Sequence, residues 1–192
     1  MNETEINDLQ LLANALAFGV GITGQISNSS DKDYYLLEAS GAGSISLGIN
    51  PSQDSSYTDY YKVSLVDANG SVLASYLAGD DEITSSGIAA AGSFYAIVEK
   101  GDVHSDEQYK LTATYSSSTA GVEIEKNDTA ATANLISSGV GITGQISNSS
   151  DKDYYLIEAS GAGSISLGIN PSQDSSYTDY YKVSLVDANG SV

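Results

Sequence analysis

The opening residues Glu3-Thr-Glu-Ile-Asn-Asp8 carry oxygen-bearing side chains at positions 3, 5, 7 and 8, and the set returns as Glu123-Ile-Glu-Lys-Asn-Asp128. Between 3–18 and 123–138 the two segments agree only at Glu3, Glu5, Asn7, Asp8, Ala13 and Asn14, so the oxygen donors stand out from a diverged background. Hard oxygens at alternating positions suit Ca2+, which takes about six to eight oxygen ligands and whose dehydration several carboxylates offset. A second acidic pair, Asp31 and Asp33, precedes Tyr34-Tyr35, with Asp151 and Asp153 as its copy. If the opening segment folds back over the Tyr-Tyr strand, both groups meet around one ion. The competing reading is solvated acidic loops, with Asn7 or Asp8 capping a helical turn through Leu9, Leu12, Ala13 and Leu16. Spacing alone does not choose between them.

Other candidate chemistry is weaker. Asp67-Ala-Asn-Gly70 has the start of an EF-hand loop but lacks its distal Glu, and reads as a hairpin turn. His104 is the only histidine; Ser105 and Asp106 adjoin it, but a Ser/His/Asp triad is assembled from separated positions, and the chain has no Gly-x-Ser-x-Gly elbow. No phosphate-cradling loop is present. Tyrosine dominates the aromatics, with 14 residues against two Phe. Tyr57, Tyr60 and Tyr61 lie beside Asp54 and Asp59 and could stack on a sugar or a protein ligand. Strand alternation favours a buried Tyr61 with Tyr60 on the sheet surface. Tyr34 and Tyr35 point to opposite faces, so at most one is core.

The elements that must position these residues follow from a long internal repeat. Residues 19–72 return as 139–192, offset by 120, with one difference, Leu37 against Ile157. A period of that length is a whole domain, not a solenoid unit. The reading is one complete unit over 1–115, a small polar linker over 116–122, and the N-terminal part of a second unit over 123–192. On this view the chain is a piece of a longer array; the alternative is that the half unit pairs with one from another chain, as in domain swapping.

Within a unit, short period-two segments alternate with turn residues. Strands are expected at Gly21–Ser27, Asp33–Ala39, Ser44–Asn50, around Tyr61–Leu65, at Val72–Tyr76, Phe94–Glu99 and Tyr109–Tyr115, with a weaker one near Ile83. The fold class is therefore all-β, an antiparallel, jelly-roll-like β-sandwich in tandem.

The formal net charge is -18, and all seven basic residues are Lys. Phosphate binding needs clustered positive charge, so nucleic acid is excluded as a partner and an anionic membrane surface is disfavoured. The acidity suits a salty or calcium-containing medium. With no Cys, thiol catalysis and Cys-based zinc sites are excluded. No apolar run reaches the ~18 residues of a spanning helix. No signal peptide follows Met1, so any export signal is expected outside this sequence.

The ordered set Glu-x-Glu-x-Asn-Asp, Gly24-Gln-Ile, Asp33-Tyr-Tyr, Asp67-Ala-Asn-Gly, Gly92-Ser-Phe-Tyr-Ala-Ile-Val and Tyr109-Lys-Leu resembles the bacterial pre-peptidase C-terminal domain, over residues 3–115 and the matching part of the second copy. The resemblance implies a non-catalytic β-sandwich appended to exported proteases and other secreted proteins. It also implies Ca2+ held by Glu3, Glu5, Asn7, Asp8 and Asp33, and by Glu123, Glu125, Asn127, Asp128 and Asp153. Collagenase members of the family carry a further aspartate where this chain has Ser30. Asp31, with Asp151 as its copy, sits one place away, and the coordination number is open between sets with and without it.

Two functions are expected from this reading. One is a calcium-stiffened spacer or adhesive repeat of a secreted or cell-surface protein, since near-identical tandem units add reach and multivalency. The other is a substrate-targeting accessory domain of a secreted peptidase or other hydrolase, binding a collagen-like protein or a polysaccharide. An enzyme in its own right is disfavoured for want of a catalytic set.

Overall fold

The computed structural model describes residues 1–52, 58–171 and 180–191. The chain divides into two compact units, Met1–Glu158 and Ala159–Val192, so the first part of the second copy belongs to the first unit.

Alternation of apolar and polar side chains builds the first unit. Among the described residues up to Ser116, nine strands form in order: β1 (Asn14–Ala15), β2 (Gly21–Gln25), β3 (Lys32–Ala39), β4 (Gly43–Pro51), β5 (Tyr61–Asp67), β6 (Val72–Ala78), β7 (Glu82–Ile88), β8 (Gly92–Lys100) and β9 (Gln108–Ser116). Every expected strand is present within a few residues of its expected ends, including the weaker one near Ile83. The strands form two sheets, β1-β3-β8-β5-β6 and β2-β9-β4-β7. β2 pairs with β9 and β3 with β8, the first strands with the last, and both pairs are antiparallel. This is the wrap of a jelly roll, and within these two sheets only the short β1 runs parallel to its neighbour.

The inward faces meet in one core. Tyr35 and Leu37 from β3, Ile45, Leu47 and Ile49 from β4, Tyr61, Val63 and Leu65 from β5, and Tyr109, Leu111 and Ala113 from β9 are all buried. Each large aliphatic side chain buried there contributes about 1.5–3 kcal/mol. The Asp67-Ala-Asn-Gly turn joins β5 to β6 as a hairpin, with the backbone N–H groups of Asn69 and Ser71 donating to Asp67 Oδ1 at 2.9 and 2.8 Å. Its carboxylate is thus occupied by the turn itself. Tyr61 is buried, and Tyr60 is half-buried and packs against the core. Asp54 and Tyr57 lie outside the described residues.

The expected helical turn is corrected. Only Gln10–Leu12 forms a single 3-10 turn, and its N-cap is Leu9, with no side-chain cap from Asn7 or Asp8. Leu9 and Leu12 are exposed, while Leu16 is buried with its N–H on the Leu36 carbonyl. The sheet takes the backbone groups that a helix would have used, and too few residues remain to repay helix nucleation.

In the second copy, β10 (Asn134–Leu135) pairs in parallel with β11 (Tyr155–Leu156), repeating the β1–β3 register. From Ala159 onward the described residues form no strand. No helix among the described residues is long and apolar enough to cross a membrane.

Candidate metal centre

The opening segment folds back over β2 and β3 through main-chain hydrogen bonds. Thr23 N–H donates to Met1 O (2.8 Å), Glu3 N–H to Thr23 O (2.9 Å) and Tyr34 N–H to Asn7 O (3.0 Å). The Asn14 side chain pins the same segment, accepting from Thr4 N–H at 2.7 Å and donating to Thr4 O at 2.9 Å. The six-residue motif is thereby laid across the start of β3, where Asp33 occupies a core-facing position in the same alternating set as Tyr35 and Leu37.

Three carboxylates converge. Oxygens of Glu3, Glu5 and Asp33 lie within 4.8 Å of one another. Asp33 and Asn7 are fully buried. Gln25 N–H donates to Glu3 Oε1 at 2.7 Å, and the Tyr35 hydroxyl donates to Glu3 Oε2 at 2.5 Å. The Tyr109 hydroxyl donates to Asp33 Oδ2 and lies 2.7 Å from that of Tyr35. Gly24 floors the group: a Cβ there would stand 2.5–2.6 Å from the Tyr109 and Tyr35 hydroxyls and Glu3 Oε2.

No cation of the described residues pairs with these charges. Among the described residues the two ion pairs, from Lys32 and Lys62, both end on Glu99. Burial pushes the Asp33 carboxyl up to about 8 against the Tyr109 hydrogen bond, and the Glu3, Asp31 and Glu5 charges push the same way. Glu5 is raised by burial and by Asp31, Glu3 and Asp8. The Asn7 carboxamide oxygen faces Asp33 Oδ1 and Glu5 Oε2 at 3.1 Å each. Without a cation the amide would turn over and donate its NH2 group to both. With a cation between them that oxygen stays and becomes a ligand.

The structure brings together part of the expected set. Asp31 is buried, but its carboxylate is held by Ser27 N–H at 2.6 Å. Burial works against its charge, yet the Ser27, Asp8 and Lys32 hydrogen bonds prevail and hold it below the usual range. Asp8 is exposed and accepts from Lys32 N–H at 3.4 Å. Asp8, Asp31 and Glu5 share a shallow recess with Ser30, whose hydroxyl donates to Asn28 Oδ1 at 2.6 Å. Asp8 and Asp31 thus stand at the rim, outside the convergent group.

The second copy rebuilds the arrangement with Glu123, Glu125 and Asp153. Gln145 N–H donates to Glu123 Oε1 (2.5 Å), the Tyr155 hydroxyl to Glu123 Oε2 (2.6 Å), and Asn134 bridges Ile124 as Asn14 bridges Thr4. Asp151 is again tied back, to Ser147 N–H at 2.6 Å, and Asp128 is exposed. The peptide bond after the second glutamate is cis in both copies. Glu125 Oε1, Asn127 Oδ1 and Asp153 Oδ1 are buried with no hydrogen-bond partner. Burial, ahead of neighbouring carboxylates, pushes Glu125 and Asp153 up to about 7. Three buried acceptor oxygens without partners, two on the convergent carboxylates and one on the Asn127 amide that donates to Glu123 at 3.4 Å, fit a hard cation, and the all-oxygen donor set suits Ca2+ rather than a softer metal.

Sequence reasoning missed Tyr35, Tyr109, Gln25 and Gln145 as supports. Asn14 was in view as one of six agreeing positions. The tyrosines carried no signal of their own, because alternation marks them only as core. His104 Nε2 pairs with Ile26 O at 3.1 Å, and Ser105 Oγ accepts from Glu107 N–H at 3.2 Å.

No family model matches the chain, and no curated protein matches it. Among solved structures, the chain is similar to the pre-peptidase C-terminal domain of a collagenase from Bacillus anthracis, at 20% identity and a TM-score of 0.44, over 53% of this chain and 94% of that one. It is also similar to PliG of Aeromonas hydrophila, a periplasmic inhibitor of g-type lysozyme, at 13% identity and a TM-score of 0.40, over 54% of this chain and 97% of that one. The family read from the motifs is thus also that of one structural neighbour.

Proposed function

We propose that this chain carries two calcium sites, one on a non-catalytic β-sandwich module and one on the segment that follows it, serving as an accessory part of a larger exported protein. The observation that supports it best is the convergence of Glu3, Glu5, Asp33 and the buried Asn7 with no ion pair to any of them among the described residues, repeated at Glu123, Glu125, Asp153 and Asn127. These eight residues are the proposed ligands, and Asp8, Asp31, Asp128 and Asp151 shape the rims. Bound Ca2+ would supply the missing positive charge and fix the opening segment to β3. The motif resemblance favours an accessory domain of a secreted peptidase or other hydrolase, placed outside the cell. The near-identity of the tandem copies favours a second reading, a spacer or adhesive repeat at the cell surface.

The test is thermal melting of the whole chain in EDTA, in millimolar Ca2+ and in millimolar Mg2+. A ligand bound only by the folded state stabilises it by about 2.7 kcal/mol at a hundredfold excess over Kd. A rise of several degrees with Ca2+ alone, lost when Glu5→Gln and Asp33→Asn are combined with Glu125→Gln and Asp153→Asn, is expected. No shift in the parent chain would leave these carboxylates without a cation and overturn the reading.

A further inference from the structure

We propose that the second acidic cluster and the seating of its own segment on the first sandwich form one coupled device, in which cation binding locks the junction between copies and the junction completes the cation site. The proposal rests on the calcium reading above and deepens it.

The junction is built on the side where both sheets end. β6 and β7 are the outer strands of their sheets, so each has an edge not covered within the sandwich. Ile124 bridges Gly87 of β7 in parallel, and Gly87 N–H donates to Glu123 O at 2.7 Å. Only a glycine permits that approach, because a Cβ on residue 87 would lie 2.6 Å from Glu123 O and 2.7 Å from Ile124 Cγ1. The Gln145 side chain spans both edges, accepting from the Thr84 hydroxyl and donating to Ser75 O, each at 2.6 Å. Its own N–H holds Glu123 Oε1. An unbroken path therefore runs from β6 and β7 through Gln145 and Glu123 into the cluster.

The first copy shows what the junction changes. There the equivalent Gln25 side chain donates to Asp106 O of its own sandwich, and Glu3 is only half-buried. In the second copy Glu123 is 2% exposed, and Asn127, with no exposure at all, sets its amide against Glu123, Nδ2 donating to Glu123 Oε2 at 3.4 Å while Oδ1 has no partner. Seating the segment without a cation buries carboxylate oxygens that nothing satisfies, which is costly. A cation removes that cost, so it favours the seated form. By linkage the seated form must favour the cation by the same factor.

The test titrates Ca2+ calorimetrically into the full chain in two backgrounds. In Glu5→Gln/Asp33→Asn only the second cluster titrates; in Glu125→Gln/Asp153→Asn only the first. Gly87→Ala is added to each. We expect at least a tenfold loss of affinity in the former background and no change in the latter. Gln145→Ala, which leaves the β7 backbone untouched, is expected to shift affinity the same way. The reciprocal readout is proteolysis within 116–122, slowed by Ca2+ in the parent chain and not in Gly87→Ala. Equal affinity with and without Gly87→Ala and Gln145→Ala would overturn the coupling while leaving the calcium sites standing. No Ca2+ binding in either unaltered background would overturn the calcium reading and the coupling together.

Discussion

At the residue scale the controlling feature is a carboxylate placed where a core side chain belongs. Asp33 shares the inward face of β3 with Tyr35 and Leu37, and one tyrosine hydroxyl serves it. With no cation its charge is disfavoured, and burial pushes the carboxyl up to about 8 from an ordinary value of 3.8. Glu125 and Asp153 are shifted the same way, to about 7. The sign of the pH dependence follows. Between the ordinary carboxylate range and these raised values, the folded chain holds protons that the unfolded chain has released. Stability in EDTA therefore falls as pH rises across that window. Ca2+ must displace the same protons, so its stabilising increment grows as pH rises. Glu99 is lowered because, although burial opposes its charge, the Lys32 and Lys62 ion pairs prevail; it titrates below this window and does not mask the effect. Urea denaturation at pH 5 and pH 8 checks this: the midpoint in EDTA should be lower at pH 8, and Ca2+ should narrow or reverse the difference. A midpoint that rises with pH in EDTA would contradict the buried, uncompensated state of these carboxylates.

At the element scale the chain contains its own control. Ser-Ile-Ser-Leu-Gly-Ile-Asn occurs at 44–50 and again at 164–170. In the first place it lies within β4, paired on both sides by β7 and β9, and Leu47 is fully buried. In the second place it forms no strand, and Leu167 is 45% exposed. Leu47→Ala should cost about 2–5 kcal/mol, the usual range for a truncated core leucine. Leu167→Ala should change stability by no more than about 0.5 kcal/mol. Chemical denaturation of the two variants checks both, and equal costs would mean that the second segment also finds a core.

The same pair of segments shows what was legible in the sequence. Alternation located β2 to β9 and gave the sandwich, because period two is a local property that tertiary packing merely uses. It could not reveal β1, a two-residue pairing with no pattern of its own, and the Leu9, Leu12, Leu16 spacing imitated a helix. For the site, the recurrence of Glu3, Glu5, Asn7 and Asp8 marked the donors, and Asp33 stood out as part of an acidic pair before Tyr34-Tyr35, but its core-facing position on β3 emerged only in the fold. The separation of Asp31 from the group was not legible, since it depends on a turn that spends that carboxylate on the Ser27 backbone. Nor were Tyr109 and Gln145, whose roles arise from contacts 76 and 70 residues away in sequence.

At the scale of the whole molecule, identical sequence with different fates gives a prediction that needs no mutation. The strands that flank β4 and β5 include β7, β8 and β9, and among the described residues the segment from Ala159 onward pairs with no strand. Ile165, Leu167 and Ile169 are therefore 43–57% exposed, where Ile45, Leu47 and Ile49 are at most 2% exposed. Backbone amides in 44–50 are held in a two-sided ladder, and those in 164–170 are not. Amide exchange follows such protection, from near-immediate in unpaired segments to the global unfolding limit in core strands. Peptides cut from the two places have the same mass, so hydrogen–deuterium exchange cannot resolve them by identity. It should instead give one isotope envelope that splits into two equal halves, one exchanged at the shortest time and one protected until the sandwich unfolds. A single slow envelope would mean that residues 164–170 pair in solution with strands this chain does not itself supply, and at rising protein concentration it would identify those strands as another copy's. A single fast envelope would contradict β4 as a central strand. The equal split is the outcome that follows if strand formation here is decided by partners and not by local sequence, which is the general behaviour of β-structure.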